Sequence, residues 1–104
     1  MKSTEARRAV TRGVVEMLTY DYHGVDVGEE MGGRIQFEII SPITGAELCL
    51  EYQRSSNQIC IEEAGKLGRG FSDDRAALNA EANRLEEEIQ VKVSEIVAMV
   101  MAAS

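Results

Sequence analysis

The polar and apolar positions of the chain follow a helical period near its start and its end, and a strand period between them. Near the start, one helical stripe contains Ala6, Val10, Val14, Met17 and Leu18. This spacing predicts an amphipathic helix that buries one face. A glycine inside this helix, Gly13, costs about 0.5–1 kcal/mol relative to alanine, so we expect another element to pack closely against it.

Alternating polar and apolar residues predict three strands after this helix. The first strand buries three residues on one face: Ile35, Phe37 and Ile39. A turn at residues 41–45 leads to two further strands, with the following buried positions: Ala46, Leu48, Leu50, Tyr52, Ile59 and Ile61. Short strands joined in this way form an antiparallel meander. The glycine-rich segment 25–33 lacks a sustained period and is predicted to be a connection or a short edge strand.

The last segment is predicted to be one long helix. It extends from Ser72 to Ala103, with Asp73 and Asp74 in its first turn, and at 1.5 Å per residue it is about 45 Å long. A compact monomer of this size is only about 33 Å across, and strands of this length offer about 23 Å of sheet. Either the helix breaks and folds back, or the segment from Val93 onward lies against a second copy or another protein.

These elements predict an α+β fold with a helix, a three-stranded antiparallel meander and a long C-terminal helix packed on one sheet face. The 104 residues are predicted to form one small domain, 1–104. Residues 93–104 are expected to extend into an oligomer or partner interface.

The sheet face away from the helices is predicted to be open and acidic. It is expected to carry the thiols of Cys49 and Cys60. The net charge of −7 opposes binding to nucleic acid or anionic lipid and favours a protein partner with a basic surface. The predicted interface consists of Glu38, Glu47, Glu51, Glu62, Val93, Ile96, Val97, Val100 and Met101. A second acidic set lies on the last helix: Glu81, Glu86, Glu87, Glu88 and Glu95.

One segment has the composition of a phosphate-binding loop. Residues 65–70 contain Lys66 and Arg69 among glycines before a helix start, where backbone N–H groups can bind anions. With the single histidine, His23, this loop supports an alternative function as a small enzyme or as an anion- or ligand-binding protein. The loop lacks the spacing of a Walker motif, and His23 has no second histidine or cysteine near it for zinc. We therefore predict no catalytic residue, metal site or cofactor.

The remaining patterns indicate a cytoplasmic protein with reduced cysteines, because no export signal or membrane-spanning run is visible. The primary hypothesis is a non-enzymatic interaction module that forms a homodimer through its C-terminal helix. In size, acidity and order of elements the chain is similar to phage-encoded anti-CRISPR inhibitors, which occupy basic nucleic-acid channels. This resemblance implies an inhibitor from a mobile element and assigns no role to individual residues. A further hypothesis is an accessory or chaperone-like subunit of a larger complex.

Overall fold

The structure, a computed structural model, describes the backbone of residues 3–65 and 75–103 and the side chains of 3–62 and 75–103. Two helices flank four strands in the order α1 (Ser3–Asp21), β1 (His23–Met31), β2 (Arg34–Ile40), β3 (Glu47–Gln53), β4 (Gln58–Gly65) and α2 (Arg75–Ala102). The strands form one sheet in chain order, each antiparallel to the next. The predicted α+β meander is confirmed in outline, but it has four strands rather than three.

The additional strand is β1, which lies at the edge of the sheet and covers most of the segment 25–33, for which the sequence left a connection and a short edge strand as alternatives. Val25 is its only partly buried residue, and the other eight are exposed. Register shifts interrupt its pairing with β2 on both sides of the adjacent residues Asp26 and Val27. Pairing of the backbone, rather than a buried row of side chains, therefore forms this strand. The sequence shows no alternation here because no face of β1 is buried along its length.

Both helices pack on the same face of the sheet, and the core lies between these two layers. α1 lies nearest to β1, and α2 lies nearest to β4. The fully buried core side chains include Val14, Leu18, Phe37, Ile39, Leu48, Leu50, Tyr52, Leu85, Ile89 and Val93. The other face of the sheet is covered by none of the described elements, and we call it the open face.

The two helices pack against each other, and α1 contacts the C-terminal half of α2. Lys92 lies 3.1 Å from Asp21 at the end of α1. Further along α2, Ile96 packs against Gly13, where an added Cβ atom would lie 2.8 Å from the Ile96 Cγ2 atom. The prediction that an element approaches Gly13 closely is confirmed. The glycine lets Ile96 occupy the space that a side chain on α1 would otherwise fill.

This helix contact corrects the expectation that the segment from Val93 onward lacks support within its own chain. Val93 is fully buried, and Ile96, Val97 and Val100 pack against the core. The molecule measures 49 × 24 × 20 Å, so it is elongated rather than a compact sphere. Its long axis accommodates the 28 residues of α2, about 42 Å of helix. The predicted helix start at Ser72, Asp73 and Asp74 lies outside the described residues.

Candidate functional site

The open face carries more carboxylates than basic groups. Residues on this face alternate with the buried residues of β2, β3 and β4, and they include Arg34, Gln36, Glu38, Glu47, Cys49, Glu51, Gln58, Cys60 and Glu62. β1 adds Asp26, which lies directly across from Glu38. The sequence did not place Asp26 on this face, because it left a connection and a short edge strand as alternatives for residues 25–33. The open face is therefore acidic, as predicted, and its acidic surface extends to the edge of the sheet.

Asp26 and Glu38 form a like-charged cross-strand pair. Both residues are exposed, and within the described ranges neither carboxylate has an ion-pair partner. Like charges directly opposite each other on neighbouring strands are destabilising. On its other side, Glu38 lies across from Cys49 of β3. Two negative charges therefore stand side by side at the β1 border of the open face.

Glu51 occupies the predicted position on the open face but is only 7% exposed. It lies across from Gln36 on one neighbouring strand and Cys60 on the other. Its Oε1 atom lies 3.9 Å from the Nε atom of Arg34, which is largely exposed. Glu51 therefore contributes little accessible surface, and its charge faces a cation of its own chain.

A bulge in β4 affects the position of Glu62. Cys49 pairs with residue 63 and Leu50 pairs with Ile61, which leaves Glu62 as the extra residue of β4. Gln36 Nε2 on β2 lies 3.4 Å from Glu62 Oε2, so this contact spans β3 and helps to cover Glu51. Glu62 itself remains exposed. β-bulges commonly re-aim a side chain in this way.

The carboxylates that remain accessible on the open face are Asp26, Glu38, Glu47 and Glu62. Of the two cysteines on this face, Cys60 is exposed and Cys49 is partly buried. Three of the four predicted glutamates are thus accessible on one surface, and Asp26 replaces Glu51 as the fourth acidic group.

The second acidic set, on α2, is used largely within the protein. Glu81 is buried, where its Oε2 atom accepts a hydrogen bond from Ser41 Oγ at 2.5 Å and its Oε1 atom accepts one from Arg84 Nε at 2.6 Å. Burial by itself raises the pKa of Glu81, but the hydrogen bonds from Arg84 and Ser41 outweigh it and leave the pKa below its ordinary value. Glu81 therefore anchors the β2–β3 turn to α2 and is not available to a partner.

Two other side chains of α2 bind the outer edge of β4. Glu86 Oε2 accepts a hydrogen bond from the Ile61 backbone N–H at 3.1 Å. One turn later, Gln90 Oε1 accepts one from the Ile59 N–H at 2.8 Å, and Gln90 Nε2 donates to the Asn57 carbonyl at 3.0 Å. These bonds close the β4 edge to a further strand.

Glu88 accepts a hydrogen bond from the Tyr22 hydroxyl at 2.5 Å, next to Lys92, whose Nζ atom is 3.2 Å from the same hydroxyl. Burial and the Glu88 carboxylate raise the pKa of Tyr22 to about 12, against a smaller opposing effect of Lys92. Tyr22 is therefore neutral and donates this bond at neutral pH. Of the predicted acidic residues on α2, only Glu87 and Glu95 are fully exposed.

Most of the apolar residues that were predicted to form an interface on α2 are buried or partly buried within the chain. Val93 belongs to the core, Ile96, Val97 and Val100 are partly buried, and Met101 is 58% exposed. The exposed apolar residues instead include Val91 and Met99. A shallow groove of about 590 Å³ runs along this side of the helix, lined by Glu87, Gln90, Val91, Ser94, Glu95 and Ala98. The side of α2 that carries Val91 and Ala98 is therefore an exposed surface.

The alternative site around the glycine-rich loop is only partly described. His23 is exposed at the start of β1, across from Ile40. Lys66 and Arg69, with the rest of residues 66–70, lie outside the described residues. Among the side chains that are described, no three histidine, cysteine, aspartate or glutamate residues are grouped so that they could hold a metal ion.

Within residues 3–65 and 75–103, neither helix combines the length and the apolar composition needed to cross a bilayer. The chain was also compared with models of protein families, with curated protein sequences and with solved structures, and none of them matches it.

Proposed function

We propose that the protein is a non-enzymatic interaction module that binds a basic surface of another protein through the open face of its sheet. The observation that carries this proposal is the exposed pair of Asp26 and Glu38, which places two like charges side by side on an uncovered face. Such a pair costs folding free energy in the isolated chain. Lysine or arginine side chains of a partner would remove this repulsion on binding.

The charges of the chain define the class of partner. A net charge of −7 repels nucleic acid and anionic membranes, which bind proteins through clustered lysine and arginine. A protein groove that handles nucleic acid carries those same basic residues, so its surface is complementary to the open face. Charge complementarity of this kind increases association rate and specificity more than affinity.

One concrete form of this function is an inhibitor from a mobile element that occupies such a groove in place of nucleic acid. The similarity to anti-CRISPR inhibitors in size, acidity and order of elements supports this form. The acidic face supports it physically, because carboxylates in a basic groove compete with phosphates for the same side chains.

The proposal is tested by removing the charges of the open face without removing its shape. In the triple variant Glu38→Gln, Glu47→Gln, Glu62→Gln, all three substituted residues are exposed on this face. The matched control, Glu5→Gln, Glu16→Gln, Asp21→Asn, removes the same number of exposed charges from α1. Both variants and the unmodified protein are immobilised and exposed to an extract of the source cells.

The expected result is a protein that the unmodified chain and the helix variant retain, that the sheet variant does not retain, and that raised salt releases. Equal capture by both variants would contradict the proposal. Circular dichroism of each variant confirms that the sheet is intact before capture is compared.

We also propose, as a separate property, that two copies associate through the side of α2 that carries Val91 and Ala98. This proposal depends on the exposed apolar residues along the shallow groove of that side. Val91→Glu is expected to shift the mass in light scattering from dimer to monomer, because it places a charge in a contact that excludes water. Tyr20→Glu, at an exposed position on α1, is the control. A monomeric unmodified protein would rule out this association.

A further inference from the structure

The two edges of the sheet differ in what occupies their outward backbone groups. At β4, the side chains of Glu86 and Gln90 accept hydrogen bonds from the N–H groups of Ile61 and Ile59. The side chains of α2 therefore stand where the next strand of the sheet would bond. No further strand can pair at this edge unless α2 moves away.

At β1 the outer edge is open over nine residues, His23–Met31. One row of its backbone groups pairs with β2, and the other row points away from the sheet. Among the described residues, none bonds to the backbone of β1 on this outer side. An open row of alternating donors and acceptors is a template for an added strand.

We infer that β1 binds an extended segment of the protein partner as a fifth strand, and that this segment alternates basic and apolar residues. The inference rests on the proposed function, because it concerns how the basic partner binds. It adds that backbone hydrogen bonds at the β1 edge, and not only charges on the open face, hold the partner.

The charged residues of β1 determine which kind of strand can pair at this edge. Asp26, Glu29 and Glu30 are all exposed on this strand, and of these Glu30 pairs with Arg54. A second copy of β1 at the edge would bring carboxylates next to carboxylates, which is unfavourable in a cross-strand pair. A strand with lysine or arginine beside Asp26 and Glu29 forms opposite-charge pairs instead. The acidic edge therefore excludes a second copy and accepts a basic segment.

The two faces of β1 determine which positions of the added segment are basic and which are apolar. Asp26 lies across from Glu38 and shares the open face with it, whereas Val27 lies across from the core residue Phe37. Val27 is nevertheless 49% exposed, because nothing among the described elements covers it at the edge. An added strand with basic residues on the open face places its apolar residues beside Val27. These apolar residues would extend the core layer by one strand.

The size of the open face also favours a partner that uses the edge. Seven-residue strands give a length of about 23 Å, and four strands give a width of about 19 Å. The area of roughly 440 Å² is well below the 800 Å² or so that each partner buries in a standard interface. A strand at β1 enlarges the contact in the plane of the sheet. It leaves the carboxylates of the open face available to the rest of the partner.

The test uses a capped peptide of ten residues that alternates lysine and valine, added to the ¹⁵N-labelled full chain. We expect the largest amide shift changes in β1 and slower hydrogen exchange of its outward-facing amides by about tenfold. The same peptide with alternate amides N-methylated, so that one edge cannot bond, is expected to bind about tenfold more weakly. A peptide with glutamate in place of lysine is expected not to bind.

The outcomes separate this inference from the proposed function. If the peptide shifts the amides around Glu38, Glu47 and Glu62 instead, and N-methylation has no effect, the strand inference is wrong while the acidic face still binds basic groups. If neither the original nor the N-methylated peptide binds, the strand inference is also overturned and the proposed function loses support. If the original peptide slows hydrogen exchange of the β1 amides and the N-methylated peptide does not, the result supports the added strand.

Discussion

Gln90 on α2 accepts a hydrogen bond from the backbone N–H of Ile59 on β4 at 2.8 Å. The same side chain donates to the Asn57 carbonyl at 3.0 Å, so it satisfies a donor and an acceptor of the sheet edge. Glu86, one helical turn earlier, accepts a hydrogen bond from the Ile61 N–H. This relationship closes one edge of the sheet and leaves β1 as the edge at which another strand can pair.

Gln90→Ala is expected to lower the free energy of unfolding by about 1–3 kcal/mol, because two backbone groups lose their partners. The variant should also associate more readily at high concentration, since part of the β4 edge becomes free. Urea unfolding and light scattering measure the two effects. Gln58→Ala, at an exposed position of the same strand, is the control, and equal stability of the two variants would contradict this role of Gln90.

Gly13→Ala tests the contact between the helices. Alanine favours the helix by about 0.5–1 kcal/mol relative to glycine, but its Cβ atom would lie 2.8 Å from Ile96 Cγ2. Overpacking at such a contact costs about 1–3 kcal/mol, so the variant should be less stable overall. In an Ile96→Ala background, which removes Cγ2, the same substitution should be neutral or stabilising. Thermal unfolding of the unmodified protein, the two single variants and the double variant gives the coupling energy between the two positions. A coupling energy of zero would contradict the contact.

Periodicity predicted the elements that bury a regular face. Val10 and Val14 on α1 and Phe37 on β2 all lie in the core, where their spacing placed them. Gly13 also indicated a close neighbour, although its spacing could not identify Ile96 as that neighbour. The contacts between two elements depend on their relative orientation. The spacing of residues within one element gives no information about that orientation.

The elements that were missed or misplaced lack this periodic signal. β1 exposes nearly all of its side chains, so its sequence could not decide between a connection and an edge strand. Glu81 belongs to the acidic set predicted on the last helix, but Ser41 and Arg84 bind it in the interior. Val93 was assigned to a partner because the length of α2 was compared with a spherical molecule, whereas α1 lengthens the core along α2. The burial of Glu81 and of Val93 depends on contacts with residues that are distant in sequence.

Glu81→Gln tests the anchor between the β2–β3 turn and α2 through its pH dependence. In the folded protein the pKa of Glu81 is below its ordinary value of 4.5. As pH falls, the unfolded chain therefore takes up this proton before the folded chain does, and the stabilisation is lost through that range. The variant should be less stable at pH 7 by about 1–3 kcal/mol. The difference from the unmodified protein should shrink as pH falls below 4.5.

Chemical denaturation at a series of pH values measures this effect. Glu87→Gln, at an exposed position of the same helix, is the control and is expected to show no such convergence. A constant difference between Glu81→Gln and the unmodified protein across the acidic range would contradict the ionised, hydrogen-bonded state of Glu81.

Asp26→Asn tests whether the open face carries uncompensated charge. Removing one member of the Asp26–Glu38 pair is expected to stabilise the isolated protein by about 0.2–1 kcal/mol at low salt. The gain should decrease as salt screens the remaining charges. Thermal unfolding at two salt concentrations measures it, with Glu16→Gln on α1 as the control. A loss of stability in Asp26→Asn would show that this carboxylate has a structural role instead.

The central claim, that the acidic open face binds a basic partner, is tested most directly by carboxylate labelling. The protein, alone and bound to the partner captured by the unmodified chain, is treated with carbodiimide and glycine ethyl ester, and each modified residue is quantified by mass spectrometry. The account predicts that binding protects Glu38, Glu47 and Glu62 while labelling of Glu16, Glu87 and Glu95 is unchanged. Protection of the helix glutamates, with the open face still labelled, would contradict it.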